Sequence, residues 1–223
     1  MIKELQEVAV DHYQYVSNIS SLEIVQDENV NIAIYERDLD NELNVFLKWL
    51  SEEGFKSLNT TFNIVEFETL FDDHFKEHPG RKFPAYQLLR NDIKQLVKQF
   101  SEISNASNMR VFFGIVNTNM CGRFHVDMYE LRMLCTYYGL GTEWLPEDNV
   151  NFAALNENGG NEEIVLREEH IRRLNAKDVA IFKGALSPNC RVGGLVHKSP
   201  AIQKLKQKRI LLRIDSNSLL DCI

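Results

Sequence analysis

His125 and Asp127 are separated by one residue, within a stretch that reads Phe-His-Val-Asp. On an extended segment, residues i and i+2 point to the same side, so this imidazole and this carboxylate can converge on one metal ion. A third ligand has to come from a distant part of the chain. His197 is the best candidate, because it ends an apolar run, 195–197, shortly before a turn. The spacing therefore predicts a metal site made by two histidines and one aspartate.

Two histidines and one carboxylate leave several positions of a metal ion open, an arrangement that suits the oxygen chemistry of non-haem Fe(II). The same ligands also bind zinc or manganese, so the type of metal stays open. Each part of the pattern also has a plainer interpretation. A His-x-Asp pair occurs as a surface ion pair, and a lone histidine in an apolar strand, such as His197, occurs as a structural residue.

The second half of the chain has the pattern of a β-structure. Short segments rich in β-branched and aromatic residues alternate there with turn-forming stretches. Six of these segments are predicted strands: 111–116, 131–138, 164–166, 179–182, 195–197 and 209–214. Six short strands in about a hundred residues indicate an antiparallel sandwich or barrel.

The first half reads mainly as helices. Asp40 is a candidate cap for a helix whose apolar residues recur at helical spacing up to Gly54. Further helices are predicted over 62–75 and from Pro84 to 100, and a short strand over 30–35. We therefore predict an α+β fold in one domain, 1–223, with a mainly helical part, 1–107, packed on a barrel, 108–223.

Composition excludes several classes of protein. The 223 residues carry a net charge of −7, which argues against a general nucleic-acid binder. The N-terminus has no basic stretch before an apolar run, and no apolar run is long enough for a membrane span. The four cysteines show no metal-type or disulfide-scaffold spacing, so we expect a cytoplasmic protein. No P-loop, dinucleotide fingerprint or G-x-S-x-G motif is present.

Several motifs follow one another between 124 and 215: FHVD, a β-rich segment, TYYGLGTEWLP, a segment ending in FKG, LVHKSP, and a last strand that opens with Arg209. Their order resembles the double-stranded β-helix (a jelly-roll or cupin-like barrel) of Fe(II)- and 2-oxoglutarate-dependent oxygenases. FHVD, TYYGLGTEWLP, FKG and LVHKSP also resemble DUF1826, a bacterial family of unknown function. That second resemblance covers most of the chain and implies that the N-terminal helices belong to the same unit.

The resemblance to the oxygenases implies cofactors as well as a fold. His125, Asp127 and His197 would bind Fe(II), and Arg209 would bind the far carboxylate of 2-oxoglutarate, since a guanidinium matches the two oxygens of a carboxylate. Tyr137 is predicted to contact the cofactor, with Thr136 as the alternative if the opposite side of the strand faces inward.

Other residues are predicted close to these ligands. Arg213 shares one strand face with Arg209, so it is also predicted to contact the cofactor. Arg132 would add a further positive charge, and an inward cation without a partner is costly, so we expect an anionic substrate or a paired acid such as Asp215. Thr136 and Cys121 are predicted to lie around the metal ligands. A buried structural thiol is the alternative role for Cys121.

The leading hypothesis is an Fe(II)- and 2-oxoglutarate-dependent oxygenase-like enzyme that acts on a small molecule of unknown identity, with no nucleic-acid or membrane partner. The first alternative is a cupin-like metal-binding protein that does not use 2-oxoglutarate and handles zinc or another metal. The second alternative is a non-catalytic interaction module. The sequence does not predict the oligomeric state.

Overall fold

A computed structural model describes residues 11–190 and 193–216. Within them the chain forms ten strands: β1 (Tyr13–Val16), β2 (Ile32–Tyr35), β3 (Leu58–Asn63), β4 (Asn108–Val116), β5 (Leu131–Tyr138), β6 (Glu143–Trp144), β7 (Arg172–Arg173), β8 (Val179–Lys183), β9 (His197–Lys198) and β10 (Arg209–Ser216). The α-helices are α1 (Asn41–Glu53), α2 (Phe67–Phe75), α3 (Pro84–Ser104), α4 (Phe152–Asn156) and α5 (Asn161–Ile164). Short 3₁₀ helices cover Ser20–Gln26, Ile64–Glu66, Pro79–Lys82, Glu147–Asn149 and Glu168–His170.

Seven strands form one large sheet, in the order β1-β2-β8-β5-β10-β4-β3. The pair β1 and β2 is parallel, and the other neighbours in this sheet are antiparallel. The three shortest strands form a second sheet, in the order β7-β6-β9. The middle strand of the large sheet is therefore β5, between β8 and β10, and all three come from the second half of the chain.

Alternation along these central strands gives the large sheet two different faces. On β10, Ile210, Leu212 and Ile214 belong to a large apolar core that also contains the buried residues of α1, α2 and α3. The intervening Leu211 faces the other way and packs with Trp144 of β6 in a second core. Helices α1, α2 and α3 thus cover one face of the large sheet, and the small sheet covers part of the other.

The first and third helices form where the sequence predicts them. Helix α1 starts after Asp40, whose side chain accepts a hydrogen bond from the backbone N–H of Glu42 over 2.7 Å, and it ends at Gly54. Helix α3 starts at Pro84, where a missing N–H costs nothing. The second helix begins at Phe67, later than predicted, because the segment before it pairs with β4 as an edge strand. Tertiary pairing here outweighs the helical pattern.

The N-terminal half supplies more strand than the sequence pattern predicts. Besides β2, which was predicted, it contributes β1 and β3, so the large sheet takes strands from both halves of the chain. The predicted strand at 164–166 is wrong. Its first residue ends helix α5, and only an isolated bridge between Val165 and Val150 remains.

The predicted mixture of helices with a large antiparallel sheet is confirmed, whereas closure of a barrel is not. Within residues 11–190 and 193–216, no strand of the large sheet pairs with a strand of the small sheet, whose strands β6, β7 and β9 have two residues each. None of the helices in these ranges is long and apolar enough to cross a membrane.

Candidate metal centre

The backbone itself brings His125 and His197 together. Each donates its N–H to the carbonyl oxygen of the other over 3.0 Å, which makes an antiparallel bridge between two distant segments. Residues paired across such a bridge place their side chains side by side, and here the two ring centroids lie 4.7 Å apart. Asp127, two residues after the first histidine, points to the same side. The predicted ligands therefore lie together in the structure.

The three side chains offer one donor atom each, and these atoms all lie within 4.8 Å of one another. One carboxylate oxygen of Asp127 lies 3.5 Å from Nε2 of His125, and the other lies 3.0 Å from Nε2 of His197. The ring of His197 is buried, while His125 and Asp127 are partly accessible. Among the described residues, no other group of three or more histidine, cysteine or acidic side chains has an arrangement that could bind a metal ion.

The remaining ring nitrogens fix which atoms are free to bind a metal. Nδ1 of His125 lies 2.8 Å from the carbonyl oxygen of Arg123, and Nδ1 of His197 lies 3.1 Å from that of Leu195. Because a carbonyl only accepts hydrogen bonds, each Nδ1 carries the hydrogen and each neutral ring keeps a lone pair on Nε2. Two lone pairs and the carboxylate of Asp127 then face one another. A metal ion would bind all three donors at once, so the residues fit a metal ion.

Electrostatics keeps the carboxylate of this group ionised. Burial alone would raise the pKa of Asp127, but the contacts with His125 and His197, which donate through Nε2 when their rings are protonated, and the charge of Arg132 lower it well below its usual range. Burial lowers the pKa of His197, which favours the neutral, metal-binding ring. Burial also opposes protonation of His125, yet its hydrogen bond to Asp127 leaves the pKa above its usual value.

Arg132 connects this group to a second carboxylate. Its Nη1 forms a short ion pair with Asp127, and its Nε donates to Oδ1 of Asp215 over 2.5 Å. Asp215 is fully buried, and its other oxygen lies 3.1 Å from Nε of Arg213. The face of the Arg132 guanidinium also lies over the ring of Tyr129 at 4.8 Å. Arg132 is therefore held in place on both sides and fixes one oxygen of the proposed metal ligand.

Arg209 has no such acidic partner. Its side chain is 2% exposed, and within residues 11–190 and 193–216 no carboxylate lies within ion-pair distance. Its two terminal nitrogens make long, 3.4 Å hydrogen bonds to the hydroxyls of Thr142 and Ser199, and Nε makes none to a described residue. Burial lowers the pKa of Arg209 to about 10, so the group stays charged at neutral pH. A buried cation of this kind is costly unless an anion binds beside it.

The position of Arg209 depends on a glycine in the neighbouring turn. Gly139, directly after β5, has a φ of +87°, and a Cβ built there would lie 2.4 Å from the carbonyl oxygen of Lys208. Only a glycine allows the turn to pass so close to the beginning of β10. The backbone that carries Arg209 is therefore packed directly against the end of β5.

One narrow cavity connects the metal-binding group to the arginines. Its volume is about 50 Å³, room for roughly two water molecules. The residues that line it come from several elements and include both histidines and all three arginines: Met120, Cys121, His125, Arg132, Leu134, Thr142, His197, Ser199, Arg209, Leu211 and Arg213. A larger groove of about 630 Å³ lies elsewhere, beside β1 and β7, and contains none of the predicted ligands. We assign the chemistry to the smaller cavity, because the donor atoms converge there.

The other predicted residues fall into two groups. Arg213 and Cys121 line the cavity, and the thiol is exposed rather than buried. Thr136 shares the site face of β5 with Arg132 but does not line the cavity. Tyr137 is not brought to the site. Alternation along β5 turns it to the helical side, where its hydroxyl donates to Asp92 over 2.5 Å.

Sequence reasoning missed Thr142 and Ser199, the two hydroxyls that contact Arg209. Ser199 lies two residues after His197, so the alternation of an extended segment gave a usable signal for it. Thr142 follows a turn with two glycines and had no signal of its own.

The chain is similar in structure to a plant dioxygenase. The dioxygenase for auxin oxidation 1 from Arabidopsis thaliana, solved with 2-oxoglutarate, matches with a TM-score of 0.52 at 9% identity over 92% of each chain. The rice dioxygenase for auxin oxidation matches with a TM-score of 0.49 at 10% identity, over 88% of this chain and 76% of that one. JOX2 in complex with 2OG, Fe and JA gives 0.47 at 10% identity, over 94% and 77%. The Arabidopsis match shows a shared fold.

The sequence itself supplies the family. A search of curated proteins finds no match. The family model for DUF1826, described as a protein of unknown function, matches residues 17–215. That range contains the four motifs quoted from the sequence, together with every residue that lines the narrow cavity. The chain therefore belongs to the DUF1826 family.

Proposed function

We propose that this protein is a non-haem Fe(II)- and 2-oxoglutarate-dependent oxygenase that acts on a small molecule. The observation that carries the proposal is Arg209, a buried guanidinium without an acidic partner among the described residues, in the same cavity as three converging metal ligands. A diacid with a 2-oxo group meets both needs, because one end can bind a metal and the other an arginine. The shared fold of the Arabidopsis dioxygenase, which was solved with 2-oxoglutarate, adds support.

In this proposal the side chains have separate tasks. His125, Asp127 and His197 would hold Fe(II), which supplies the activation of O₂ when it is bound. The carbonyl oxygens behind the two histidines orient their rings, and Arg132 orients the carboxylate of Asp127. Arg209 would bind the far carboxylate of the cosubstrate, with Thr142 and Ser199 beside it.

The cavity is too narrow for the cosubstrate as it stands. A five-carbon diacid needs more space than about 50 Å³, so lining side chains have to shift when it binds. Met120 and Cys121 are exposed and line the same cavity, which makes their segment the one with the least packing to lose. The narrowness also favours the alternative function, a metal-binding protein that does not use 2-oxoglutarate. We further propose a cytoplasmic location, in keeping with the unpaired thiols of Cys121, Cys135 and Cys190.

Anaerobic titration separates these functions. Protein purified without a His tag is loaded with Fe(II) and then with 2-oxoglutarate, and we expect a visible metal-to-ligand charge-transfer band. The band should disappear in His197→Ala, through loss of the metal, and in Arg209→Met, through loss of the cosubstrate. Arg81→Met, which changes an exposed arginine of the helical side, is the matched control and should keep the band.

Metal content and turnover complete the test. Formation of succinate from 2-oxoglutarate in air, dependent on Fe(II), supports the oxygenase. Tightly bound zinc without the band, and without succinate, would instead establish the metal-binding alternative. No metal uptake, with stability unchanged in His125→Ala, would contradict both functions and leave an interaction module.

A further inference from the structure

Arg213 remains incompletely paired after the proposed function has been assigned. It lines the narrow cavity, and its side chain is 19% exposed, so it reaches both the cavity and solvent. Its acidic neighbour is Asp215, 3.1 Å from Nε, but this contact does not have hydrogen-bond geometry. Asp215 uses its other oxygen for Arg132. Within the described ranges, Arg213 thus shares a carboxylate that is already engaged by a second arginine.

An aromatic ring on the neighbouring strand supports the side chain of Arg213. Its guanidinium lies 5.6 Å from the ring centroid of Phe112, the residue directly opposite it on β4. An aromatic face stabilises a cation and leaves the edge of the guanidinium, with its terminal N–H groups, free for another partner. The terminal nitrogens of Arg213 donate no hydrogen bond to a described residue. A planar donor on an aromatic support, lining a cavity and partly exposed to solvent, matches a carboxylate or a phosphate group.

The balance of charge in the site also favours binding of an anion. Arg132, Arg209 and Arg213 face two carboxylates, those of Asp127 and Asp215, so the site has one positive charge in excess before any metal binds. Fe(II) would add two positive charges, and 2-oxoglutarate would remove two. The loaded site would therefore still have one positive charge in excess, and Arg213 is the arginine whose pairing is least complete outside the cosubstrate position.

We propose that Arg213, supported by Phe112, binds an oxyanion group of the substrate, a carboxylate or a phosphate, in the metal cavity. This inference rests on the proposed function, since it assigns Arg209 to the cosubstrate and Arg213 to the substrate. Arg209 is the more deeply buried and takes the cosubstrate. Arg213 is accessible from solvent and takes the group that arrives afterwards.

The test uses acetate and inorganic phosphate as probes on the full-length protein, without Fe(II) or 2-oxoglutarate. Chloride keeps the ionic strength constant during each titration. The arginine Nε–H signals of ¹⁵N-labelled protein are followed by NMR, and the signal of Arg213 is assigned from its absence in Arg213→Met. We expect a saturable shift of the Arg213 signal with at least one of the two anions. The two probes distinguish a carboxylate site from a phosphate site.

Variants give the size of the effect, measured by calorimetric titration with the anion that binds. Arg213→Met should weaken binding by about tenfold, because it removes the charge and the paired donors. Arg213→Lys keeps the charge and loses the planar fork, so it should weaken binding about threefold. It also serves as the second variant if Arg213→Met unfolds at a lower temperature. Arg81→Met should bind like the wild type.

The outcomes separate the inference from the proposed function. If the Arg213 signal stays in place with both anions, or if only the Arg209 signal moves, the inference is wrong. Equal affinity in the wild type and Arg213→Met would also overturn it. A wild-type protein that binds the anion at Arg213 and never gives the Fe(II)–2-oxoglutarate band contradicts the oxygenase function alone. A band with an unmoved Arg213 signal contradicts the inference alone.

Discussion

Strand β5 separates two buried charged clusters that differ in how completely they are paired. On the helical face, Arg37 makes two hydrogen bonds to Asp92, over 2.5 and 2.9 Å, and its Nε donates to the carbonyl oxygen of Lys177 over 3.0 Å. Tyr137 adds a third donor to the same carboxylate, and Cys135 lies 3.6 Å from Arg37. On the other face, Arg132 and Arg213 share two carboxylates, and Arg209 has no carboxylate partner among the described residues.

The difference indicates which face is complete by itself. Burial, together with the negative charge of Asp92, raises the pKa of Tyr137 well above its usual value, and burial raises that of Cys135 to about 12. Both groups therefore stay neutral at physiological pH, and the helical cluster has no need of a ligand. The opposite face contains a charge whose burial is not compensated by the described residues. A satisfied cluster stabilises the fold, whereas an unsatisfied one requires a bound partner.

The same substitution on the two faces should have opposite effects. Arg37→Met should lower the free energy of unfolding by about 3–5 kcal/mol, because it leaves the buried carboxylate of Asp92 without its cation. Urea unfolding followed by circular dichroism measures this value. The control is Arg81→Met, for which we expect a change near zero. A variant as stable as the wild type would show that the helical cluster does not stabilise the fold.

Arg209→Met should instead raise the free energy of unfolding of the metal-free protein, by about 2 kcal/mol, since a buried cation without an acidic partner is replaced by an apolar chain. The same urea experiment applies. Addition of 2-oxoglutarate with Mn(II) should stabilise the wild type and leave Arg209→Met unchanged relative to Mn(II) alone. A destabilised Arg209→Met would mean that the guanidinium is already satisfied, and would remove the contrast between the two faces.

The smallest effect is expected from Tyr137→Phe. This change removes one of the donors to Asp92 and should lower the free energy of unfolding by about 1 kcal/mol. Binding of 2-oxoglutarate should stay as in the wild type, because the hydroxyl lies on the helical side of β5. Loss of cosubstrate binding in a normally stable Tyr137→Phe protein would restore the sequence-based prediction that this tyrosine contacts the cofactor.

Periodicity explains both what the sequence predicted and what it missed. The spacing of two residues placed His125 with Asp127, and the spacing of four placed Arg209 with Arg213, because alternation is a property of any extended segment. Tyr137 was assigned to the wrong side, since its neighbours on both sides were equally compatible with a buried strand. The apolar pattern of β5 is nearly continuous, as expected for a strand that is covered on both faces. Such a pattern does not indicate which residues face the helices and which face the site.

The small sheet was beyond prediction for another reason. Its strands β6, β7 and β9 have two residues each, which is too short for any alternation to be recognised. These strands form because distant segments of the chain lie beside them in the fold and pair with them. Strand β3 was likewise missed, since it lies at the edge of the large sheet and is only partly buried. Local pattern therefore predicted the elements with buried faces, and the edges depend on tertiary pairing.

The bridge between His125 and His197 has a consequence for unfolding. A metal ion bound there would connect two segments roughly 70 residues apart, and so would close a long loop that is open in the unfolded chain. The ion binds to the folded form and would stabilise it by about 2.7 kcal/mol at a hundred times its dissociation constant. The protein's resistance to proteolysis would then depend on the supply of metal. The ion would stabilise the fold in addition to its role in the reaction.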